Sequence, residues 1–438
     1  MKQSLVLRGL LVALTIIGAV GWFVGGSNLY ARLTYLGLLL LIVTAAWTVL
    51  SLRGVRLKRV ARNLRASMGE IFEERFEVVK SSWPTSLWIE VVNQSPLAMA
   101  SGSRLLTGVA AHQRRFYTAR TVLTQRGAFL LGPTEISSGD PFGVFHASRS
   151  FPAHDTLIVL PMTVPIPSLP IQPGILPGGK TIRRRTQDVT PHAAGVREYV
   201  PGDPMKRIHW LSTARRGRFM VKEFEQDPQA EIWLLLDAQR AAQAAAPSEA
   251  VHLDDGVLWL RRPKVTLPRD SFEYAVSATA SLARYFLAER RAVGLVSASS
   301  RLTILSAERG ERQVGKILET LAFLQPQGEI PILGLVTMQA KLIPLGSGVI
   351  LVTPSVQPEL LLAIEDLLRR NLRPLVVLIK VETFGGMGDS RDIVEKLQKR
   401  NVPVCQIGYG EDLSAALTLP AVYFPTTYSP DFRVDRRA

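Results

Sequence analysis

Residues 231–237 read EIWLLLD, a short and almost wholly apolar run that ends in an acid. Such a run, without alternation of polar and apolar residues, is typical of a strand buried on both faces of a parallel sheet. Four later runs are of the same type: GLVSAS, GVILVTP, PLVVLIK and VPVCQIG. Amphipathic helices are predicted between these runs, at about 271–291, 308–325, 357–370 and 389–400. Strands that alternate with helices predict an open, Rossmann-like α/β sheet with helices on both faces.

The predicted α/β domain covers residues 231–425 and is followed by a C-terminal tail, 426–438. Residues 240–269 interrupt the alternation and are interpreted as an insertion. Within the insertion, VHLDDGVLWL at residues 251–260 places two apolar runs around Asp-Asp-Gly, which predicts a β-hairpin.

Upstream, residues 70–165 contain short alternating runs separated by Gly, Pro, Asn and Ser. This pattern favours a small antiparallel, sandwich-like β-domain. Residues 166–230 are interpreted as a connector, rich in proline at its start, that ends in a dense charged and aromatic motif.

Residues 1–52 contain two segments that are nearly free of charge, Leu5–Gly26 and Leu33–Leu52. Each is close to the roughly 20 residues that a helix needs to cross a bilayer core. A short polar connector, SNLYAR, predicts a transmembrane helical hairpin. A cleaved signal peptide is rejected because no small-x-small site follows the first segment and a second apolar segment comes soon after.

Lys and Arg near the span ends predict the orientation of the hairpin. The connector carries only Arg32, whereas the N-terminal flank has Lys2 and Arg8. A basic juxtamembrane segment, 53–69, follows the second span and carries Arg53, Arg56, Lys58, Arg59, Arg62 and Arg65. We therefore expect an inner-membrane protein with both termini and most of the chain in the cytoplasm, and with the basic segment against anionic lipid headgroups.

The charge balance and the cysteine count narrow the classes of function. The chain has 52 basic and 37 acidic residues, and 47% of its residues are hydrophobic. The membrane segments and the basic segment account for much of this balance, and no nucleic-acid-binding motif is present, so no nucleic-acid partner is expected. The single cysteine, Cys405, excludes an intrachain disulfide and disfavours a zinc site.

The motif before the first apolar strand is the most specific part of the chain. Residues 197–227 read REYVPGDPMKRIHWLSTARRGRFMVKEFEQD. The stretch resembles the core motif of the bacterial and archaeal domain-of-unknown-function family 58. The residues that carry the resemblance are Arg197, Tyr199, Gly202, Asp203, Arg207, Ile208, His209, Trp210, Ala214 and Arg215.

The resemblance implies an organisation and a type of partner. Members of this family often have a transmembrane hairpin, a β-rich region with a DPFG element (here residues 140–143) and a von Willebrand factor A-like domain. Their genes commonly lie beside those of MoxR-type AAA ATPases. The resemblance therefore implies a membrane-tethered adaptor for such an ATPase, in envelope assembly or protein maturation. It implies no enzymatic activity, because the family has no established biochemical function.

Two interpretations of the motif remain open: a structural clasp and a partner-docking surface. If residues 205–214 are helical, Trp210 packs inward and His209 faces outward or towards acids. The motif's acids, Glu198, Asp203, Glu223 and Glu225, can pair with its arginines, Arg197, Arg207, Arg215 and Arg218.

Three candidate chemical sites are weighed and set aside. Von Willebrand A domains often bind a cation through Asp-x-Ser-x-Ser, but here Asp237 is followed by AQRA, a degenerate set that lacks both serines, so no metal is expected. Gly174–Thr181, GILPGGKT, fits a phosphate-loop pattern but lacks the strand before it and the helix after it, so no cofactor is expected. Cys405 lies in an apolar strand, where a buried and unreactive thiol is usual.

The sequence thus predicts a membrane-anchored, non-catalytic adaptor. Two alternatives are kept: a nucleotide-dependent enzyme that uses residues 174–181, and a membrane-surface scaffold without an ATPase partner.

Overall fold

The computed structural model describes residues 2–169, 193–200, 205, 208–224, 231–247 and 265–418. The chain divides into two compact units. The first comprises residues 1–162 with two short later segments, 247–268 and 318–323, and the second comprises the remainder. Predicted features at 174–181 and 251–260, and the tail at 426–438, lie outside the described residues.

The chain begins with two long helices, α1 (Lys2–Gly25) and α2 (Asn28–Leu52), both long and apolar enough to cross a membrane. The predicted connector is too long, because Asn28 to Arg32 are helical. Small residues let the helices pack closely. A Cβ atom added to Gly37 would lie 2.4 Å from the Thr15 hydroxyl, and one added to Gly21 would lie 2.7 Å from the Tyr30 ring.

Among the described residues of the first unit, ten strands follow and form three sheets. The sheet orders are β1-β3-β6, β5-β4-β8-β9 and β2-β10-β7. All pairs are antiparallel except β2–β10. The strands are β1 (Val55–Ala61), β2 (Arg65–Ser67), β3 (Ile71–Lys80), β4 (Ser86–Asn93), β5 (Arg104–Val109), β6 (Arg114–Val122), β7 (Gly127–Leu130), β8 (Thr134–Gly139), β9 (His146–Phe151) and β10 (Thr156–Leu160).

Two of these sheets share a core, which contains Val55 and Val78 from one sheet and Ile89, Val91, Val109 and Ile136 from the other. Side chains of a strand point alternately to its two faces. Every second residue of β3 is buried, so one face of this strand is turned towards the interior.

The basic segment predicted at 53–69 is not a separate element, because β1 and β2 lie within it and belong to these sheets. Arg59, assigned there to lipid headgroups, is instead largely buried against Glu74, with 2.6 Å between Nε and Oε1. Arg53, Arg56, Lys58, Arg62 and Arg65 remain exposed.

In the second unit, six strands form one sheet in the order β15-β14-β13-β16-β17-β18. All neighbours are parallel except β15, which is antiparallel to β14. The predicted apolar runs form the five parallel strands. The strands are β13 (Ile232–Leu236), β14 (Val293–Ala298), β15 (Leu302–Glu308), β16 (Gly348–Thr353), β17 (Arg373–Ile379) and β18 (Val404–Ile407).

Helices cover this sheet on both faces. The helices are α4 (Ser271–Ala288), α5 (Glu311–Phe323), α6 (Ile332–Gln339), α7 (Glu359–Arg369), α8 (Ser390–Lys399) and α9 (Leu413–Leu417). Trp233 and Leu235 of β13 share one core with α6, α7 and α8. Because α4 contacts β13 and β16 but contributes nothing to that core, it lies on the opposite face.

A separate two-stranded sheet in the second unit contains the motif. Strand β11 (Ala193–Glu198) pairs antiparallel with β12 (Met220–Phe224), and a short helix, α3 (Trp210–Arg216), lies between them in sequence. This helix covers only part of the range 205–214 that was considered as a possible helix, because it begins at Trp210.

Candidate functional site

The first candidate site lies at the centre of the six-stranded sheet. The chain passes from β13 to β14 on one side and later returns to β16 on the other side of β13. In open α/β sheets, ligands bind outside the carboxyl ends of the strands where the strand order reverses in this way. Asp237 directly follows β13, and Thr353 is the last residue of β16. We call Asp237, Thr353 and the residues that bond to them the switch-point site.

Both oxygens of the Asp237 carboxylate accept hydrogen bonds from the protein. The Thr353 hydroxyl donates to Oδ2 at 2.6 Å, and the Gln239 backbone amide donates to Oδ1 at 2.9 Å. The Ser355 amide donates in turn to the Thr353 hydroxyl at 3.0 Å. Asp237 and Thr353 are fully buried. Burial raises the pKa of Asp237 to about 6, although the bonds from Thr353 and Gln239 oppose the shift.

The polar network continues from Asp237 towards α4. The Gln243 side chain donates to the Asp237 carbonyl at 3.0 Å and accepts from the Ser271 hydroxyl at 2.7 Å. The Ala244 amide donates to the same Ser271 hydroxyl at 2.9 Å. The network therefore holds the chain after β13 against the first turn of α4, which is a structural use of these groups.

The residues at the switch point do not fit a hard cation. Magnesium takes about six oxygen ligands in near-octahedral geometry. Among the described residues that form the switch-point site, Asp237 supplies the carboxylate, and both of its oxygens are already hydrogen-bonded. The two following serine positions hold Gln239 and Ala241. In the part of the chain that the structure describes, no three His, Cys, Asp or Glu side chains form a metal-binding group.

The crevice beside Asp237 is filled by backbone. The Gly328 amide donates to the Ala238 carbonyl at 2.9 Å, and the Gly328 carbonyl accepts from the Arg240 amide at 2.8 Å. A Cβ atom on Gly328 would lie 2.1 Å from the carbonyl oxygen of Ala298, the last residue of β14. The segment at Gly328 thus occupies the space outside the ends of β13 and β14. This close approach of Gly328 was not predicted, because no local sequence pattern marks it.

The second candidate site is the motif, whose helix is fixed by local bonds. The His209 ring caps the helix: its Nδ1 accepts from the Ser212 amide at 3.2 Å and lies 2.8 Å from the Ser212 hydroxyl. The His209 amide donates to the Met220 carbonyl at 2.7 Å, which ties the start of α3 to β12. Gly217 ends the helix in the left-handed conformation, with φ of 67°. His209 is therefore a structural cap.

An exposed aromatic and basic surface results, which we call the motif surface: Trp210, Leu211, Arg215, Arg218 and Phe219. Trp210 is 65% exposed, so it does not pack inward as a helix over 205–214 would have placed it. The helix has only seven residues, none of them buried, and Trp210 is its first residue. Its ring instead lies edge-on to Phe219, with 6.5 Å between the centroids.

The other members of the surface are also exposed. Leu211 and Phe219 are more than half exposed, and Arg215 lies one helical turn after Leu211 on the same face. Phe219 also contacts the half-buried Tyr199 ring, at 6.2 Å between centroids. Arg218 pairs with Glu198 at 3.2 Å, one of the expected ion pairs. The sequence could have identified Phe219 as a neighbour of Tyr199, because pairing of β11 with β12 brings these two residues opposite each other.

The remaining predicted site residues divide into two groups. Arg197 lies in β11, and Cys405 is fully buried in β18, where burial raises the pKa of its thiol to about 12. The phosphate-loop pattern at 174–181 and three motif residues, Gly202, Asp203 and Arg207, lie outside the described residues. The structure therefore brings together Tyr199, His209, Trp210 and Arg215 on one small β–α–β element. Asp237 belongs instead to the six-stranded sheet, directly after β13.

Comparison with known proteins supports the resemblance that the motif suggested. Residues 195–249 match the family model described as "Protein of unknown function DUF58". The matched segment contains described parts of both candidate sites. "Uncharacterized protein YeaD" of Bacillus subtilis (strain 168) is 26% identical over 211 residues. That match covers 47% of this chain and 45% of the relative, so the similarity spans less than half of either protein.

A search of solved structures adds no information on function. A GH20 exo-β-N-acetylglucosaminidase from Vibrio harveyi, in complex with N-acetylglucosamine, aligns with 74% of this chain and 57% of its own. The sequence identity is 8% and the TM-score is 0.17, a value too low to support a shared fold or activity.

Proposed function

We propose that this protein is a membrane-anchored, non-catalytic adaptor that docks a partner protein on the motif surface. The observation that carries the proposal is the exposure of Trp210, Leu211 and Phe219 on an element that is otherwise fixed by caps and strand pairing. Tryptophan and arginine are the residue types that most often dominate the energy of protein interfaces. A surface of this kind on a rigid support favours binding with little loss of conformational freedom.

The partner that we propose is a MoxR-type AAA ATPase, acting with this chain in envelope assembly or protein maturation. The gene context of the resembling family motivates this choice. The charge of the motif surface favours an acidic docking site on the ATPase, because Arg215 and Arg218 flank its apolar residues and both are exposed.

The absence of catalysis is part of the proposal, and three observations support it. The Asp237 carboxylate accepts bonds on both oxygens, the Cys405 thiol is buried, and Gly328 fills the crevice beside the switch point. We propose further that the second unit is a von Willebrand A-like domain that works as an interaction module. Its strand order, with β13 central and an antiparallel edge strand β15, supports this assignment.

We propose that α1 and α2 span the inner membrane with both termini in the cytoplasm. Length and apolar composition support the spans, and the basic residues beyond α2 support the orientation. This arrangement places the motif surface on the side of the membrane where ATP is available to an ATPase.

Co-purification from native membranes tests the docking proposal. We expect the double variant Trp210→Ala with Leu211→Ala to lose most of the ATPase that the parent chain recovers, measured by quantitative mass spectrometry. Two interface residues that each contribute about 2 kcal/mol would weaken binding by a factor on the order of 10³. Recovery of no ATPase by the parent chain would contradict the proposal.

The matched control is Leu342→Ala with Leu345→Ala, two side chains of the second unit that are as exposed as the motif pair. This control should recover the ATPase at the level of the parent chain. Equal losses in the two double variants would show that the motif surface has no special part in docking.

A further inference from the structure

The cytoplasmic ends of the two long helices are bound to two turns of the β-rich part of the first unit. The first turn joins β3 to β4 and holds the end of α2. The Ser51 carbonyl of α2 accepts from the Lys80 ammonium and from the Ser86 hydroxyl, each at 2.6 Å. The Ser82 hydroxyl donates to the Arg53 carbonyl. Helix ends leave carbonyls without partners, so these bonds cap α2 with side chains of the β-rich part.

Lys80 strengthens this attachment. Its side chain is fully buried, and burial lowers the pKa of its ammonium group. A cation at the carboxyl end of a helix interacts favourably with the helix dipole. The turn that follows Lys80 is therefore fixed relative to the last residues of α2.

The second turn, Asp140–Phe145, lies against both helices. The buried Asp140 carboxylate shapes it by accepting the amides of Phe142 at 2.9 Å, Val144 at 3.3 Å and Phe145 at 2.5 Å. The Arg8 guanidinium of α1 donates to the Val144 carbonyl and lies over the Phe145 ring, 4.9 Å from its centroid. The Thr48 hydroxyl of α2 lies 3.5 Å from the Phe145 carbonyl oxygen.

Helix length places these contacts at the depth of the lipid headgroups. With 25 residues, α2 is about 38 Å long, whereas the hydrocarbon core is about 30 Å thick. The contacted residues Thr48 and Ser51 lie within the last five residues of α2, at the end of the span that adjoins the β-rich part, so the two turns lie near the edge of the hydrocarbon core. Arg8 lies near the start of the first span, Val6–Gly25, where a long basic side chain reaches towards the interface.

Each turn presents one large aromatic side chain that the protein leaves uncovered. Trp83, beside Ser82, is 74% exposed, and Phe142, at the tip of the second turn, is 61% exposed. Exposed Arg53 follows α2 directly and adds a positive charge at the same level. Aromatic rings beside arginine are the residue types that gather at the boundary between headgroups and acyl chains.

We propose that Trp83 and Phe142 insert into the cytoplasmic headgroup–acyl boundary of the bilayer and form a second membrane attachment of the β-rich part beside the hairpin. The occupant of this surface is a phospholipid bilayer, because the two turns are bound to residues at the ends of the membrane spans. This inference rests on the proposed anchoring by α1 and α2. Because the turns are bound to the ends of α1 and α2, this second attachment limits the tilt of the hairpin and the β-rich part together relative to the bilayer.

Depth-dependent quenching in vesicles tests this inference on the full chain. The native Cys405 is buried, so single substitutions Trp83→Cys and Phe142→Cys can carry an environment-sensitive fluorophore. The chain is reconstituted into phosphatidylcholine–phosphatidylglycerol vesicles that contain spin-labelled lipids. We expect lipids labelled just below the headgroup to quench both fluorophores strongly, and aqueous iodide to quench them weakly.

Two control positions separate the possible results. Phe116→Cys, on β6 and as exposed as Phe142, should be quenched by iodide and not by lipid. Leu39→Cys, in the middle of α2, should be quenched by lipids labelled near the chain end. Iodide quenching at positions 83 and 142 equal to that at 116, with lipid quenching at 39, would overturn the inference and leave the anchoring intact.

Two further results would also count against the inference. Loss of lipid quenching at position 39 would overturn the membrane anchoring itself, and the inference with it. Positions 83 and 142 that are open to iodide in vesicles but protected in native membranes would assign the surface to a protein partner instead of lipid.

Discussion

Asp237 shows how burial decides the use of a carboxylate. Asp237 was identified from the sequence as the acid at the end of an apolar strand, and the residues that follow it disfavoured a metal site. The structure adds that Thr353 and Gln239 bond both oxygens. The bond from Thr353 could not be predicted, because Thr353 lies on a neighbouring strand that is distant in sequence.

Stability should depend on pH through Asp237. Its pKa rises from 3.8 to about 6 on folding, so between these values the folded chain holds a proton that the unfolded chain releases. Stability therefore falls as pH rises from about 4 to about 6 and changes no further above that range. A shift of about two pH units corresponds to about 3 kcal/mol. Between pH 4 and 7, we expect the free energy of unfolding of Asp237→Asn to rise by about this much relative to that of the parent chain.

Urea unfolding of the full chain in detergent measures this difference at each pH. The control Glu395→Gln removes an exposed carboxyl and should leave the pH dependence of stability as in the parent chain. Parallel stability curves for Asp237→Asn and the parent chain would contradict the account.

Trp210 marks the limit of prediction at single residues. The motif was recognised as specific, and Trp210 was placed on an inner face only on the condition that residues 205–214 are helical. The observed helix starts at Trp210, because His209 caps it and bonds to β12. Since Trp210 lies in the first turn of a seven-residue helix, periodicity over 205–214 could not orient its side chain without knowledge of the cap.

At the scale of elements, fully apolar runs were the most reliable signal. They predicted all five parallel strands, because only strands buried on both faces need such runs. The elements of the α/β domain that were not predicted lack a clear hydrophobic pattern. α6 reads ILGLVTMQ, apolar on all sides, and the edge strand β15 alternates between exposed and half-buried residues. The burial of Arg59 in β1 was not predicted, because its acidic partner Glu74 lies on another strand.

Gly328 makes a contact between elements that can be tested. An alanine Cβ at this position would meet the carbonyls of Ala298 and Ala238 at 2.1 and 2.9 Å, and backbone can move only with the strands that carry it. We expect Gly328→Ala to destabilise the protein by about 1–3 kcal/mol or more, the cost of overpacking. Thermal unfolding in detergent measures the effect.

The matched control is Gly315→Ala. Gly315 is exposed within α5 and has open space around its Cβ position, so alanine there should stabilise the helix by about 0.5–1 kcal/mol. We expect the change in the free energy of unfolding to have opposite signs in Gly328→Ala and Gly315→Ala. Two similarly small changes would contradict the packing described at the switch point.

At the scale of the whole molecule, the sequence predicted two apolar helices, a strand-rich region and an α/β region, in the observed order. The apolar composition of the helices and the strand runs made this possible, since both signals are local. Bonds between the turns of the β-rich part and the ends of the hairpin were not predicted. They depend on residues such as Arg8 and Val144, which are far apart in sequence.

Orientation across the membrane tests the central claim most directly, because a cytoplasmic ATPase can be met only from the cytoplasm. The exposed positions Asn28, the first residue of α2, and Met387, in the second unit, are each replaced by cysteine, and the native Cys405 stays buried. We expect a membrane-impermeant maleimide to label Asn28→Cys in intact spheroplasts and Met387→Cys only after lysis. Labelling of Met387→Cys in intact spheroplasts would contradict the account.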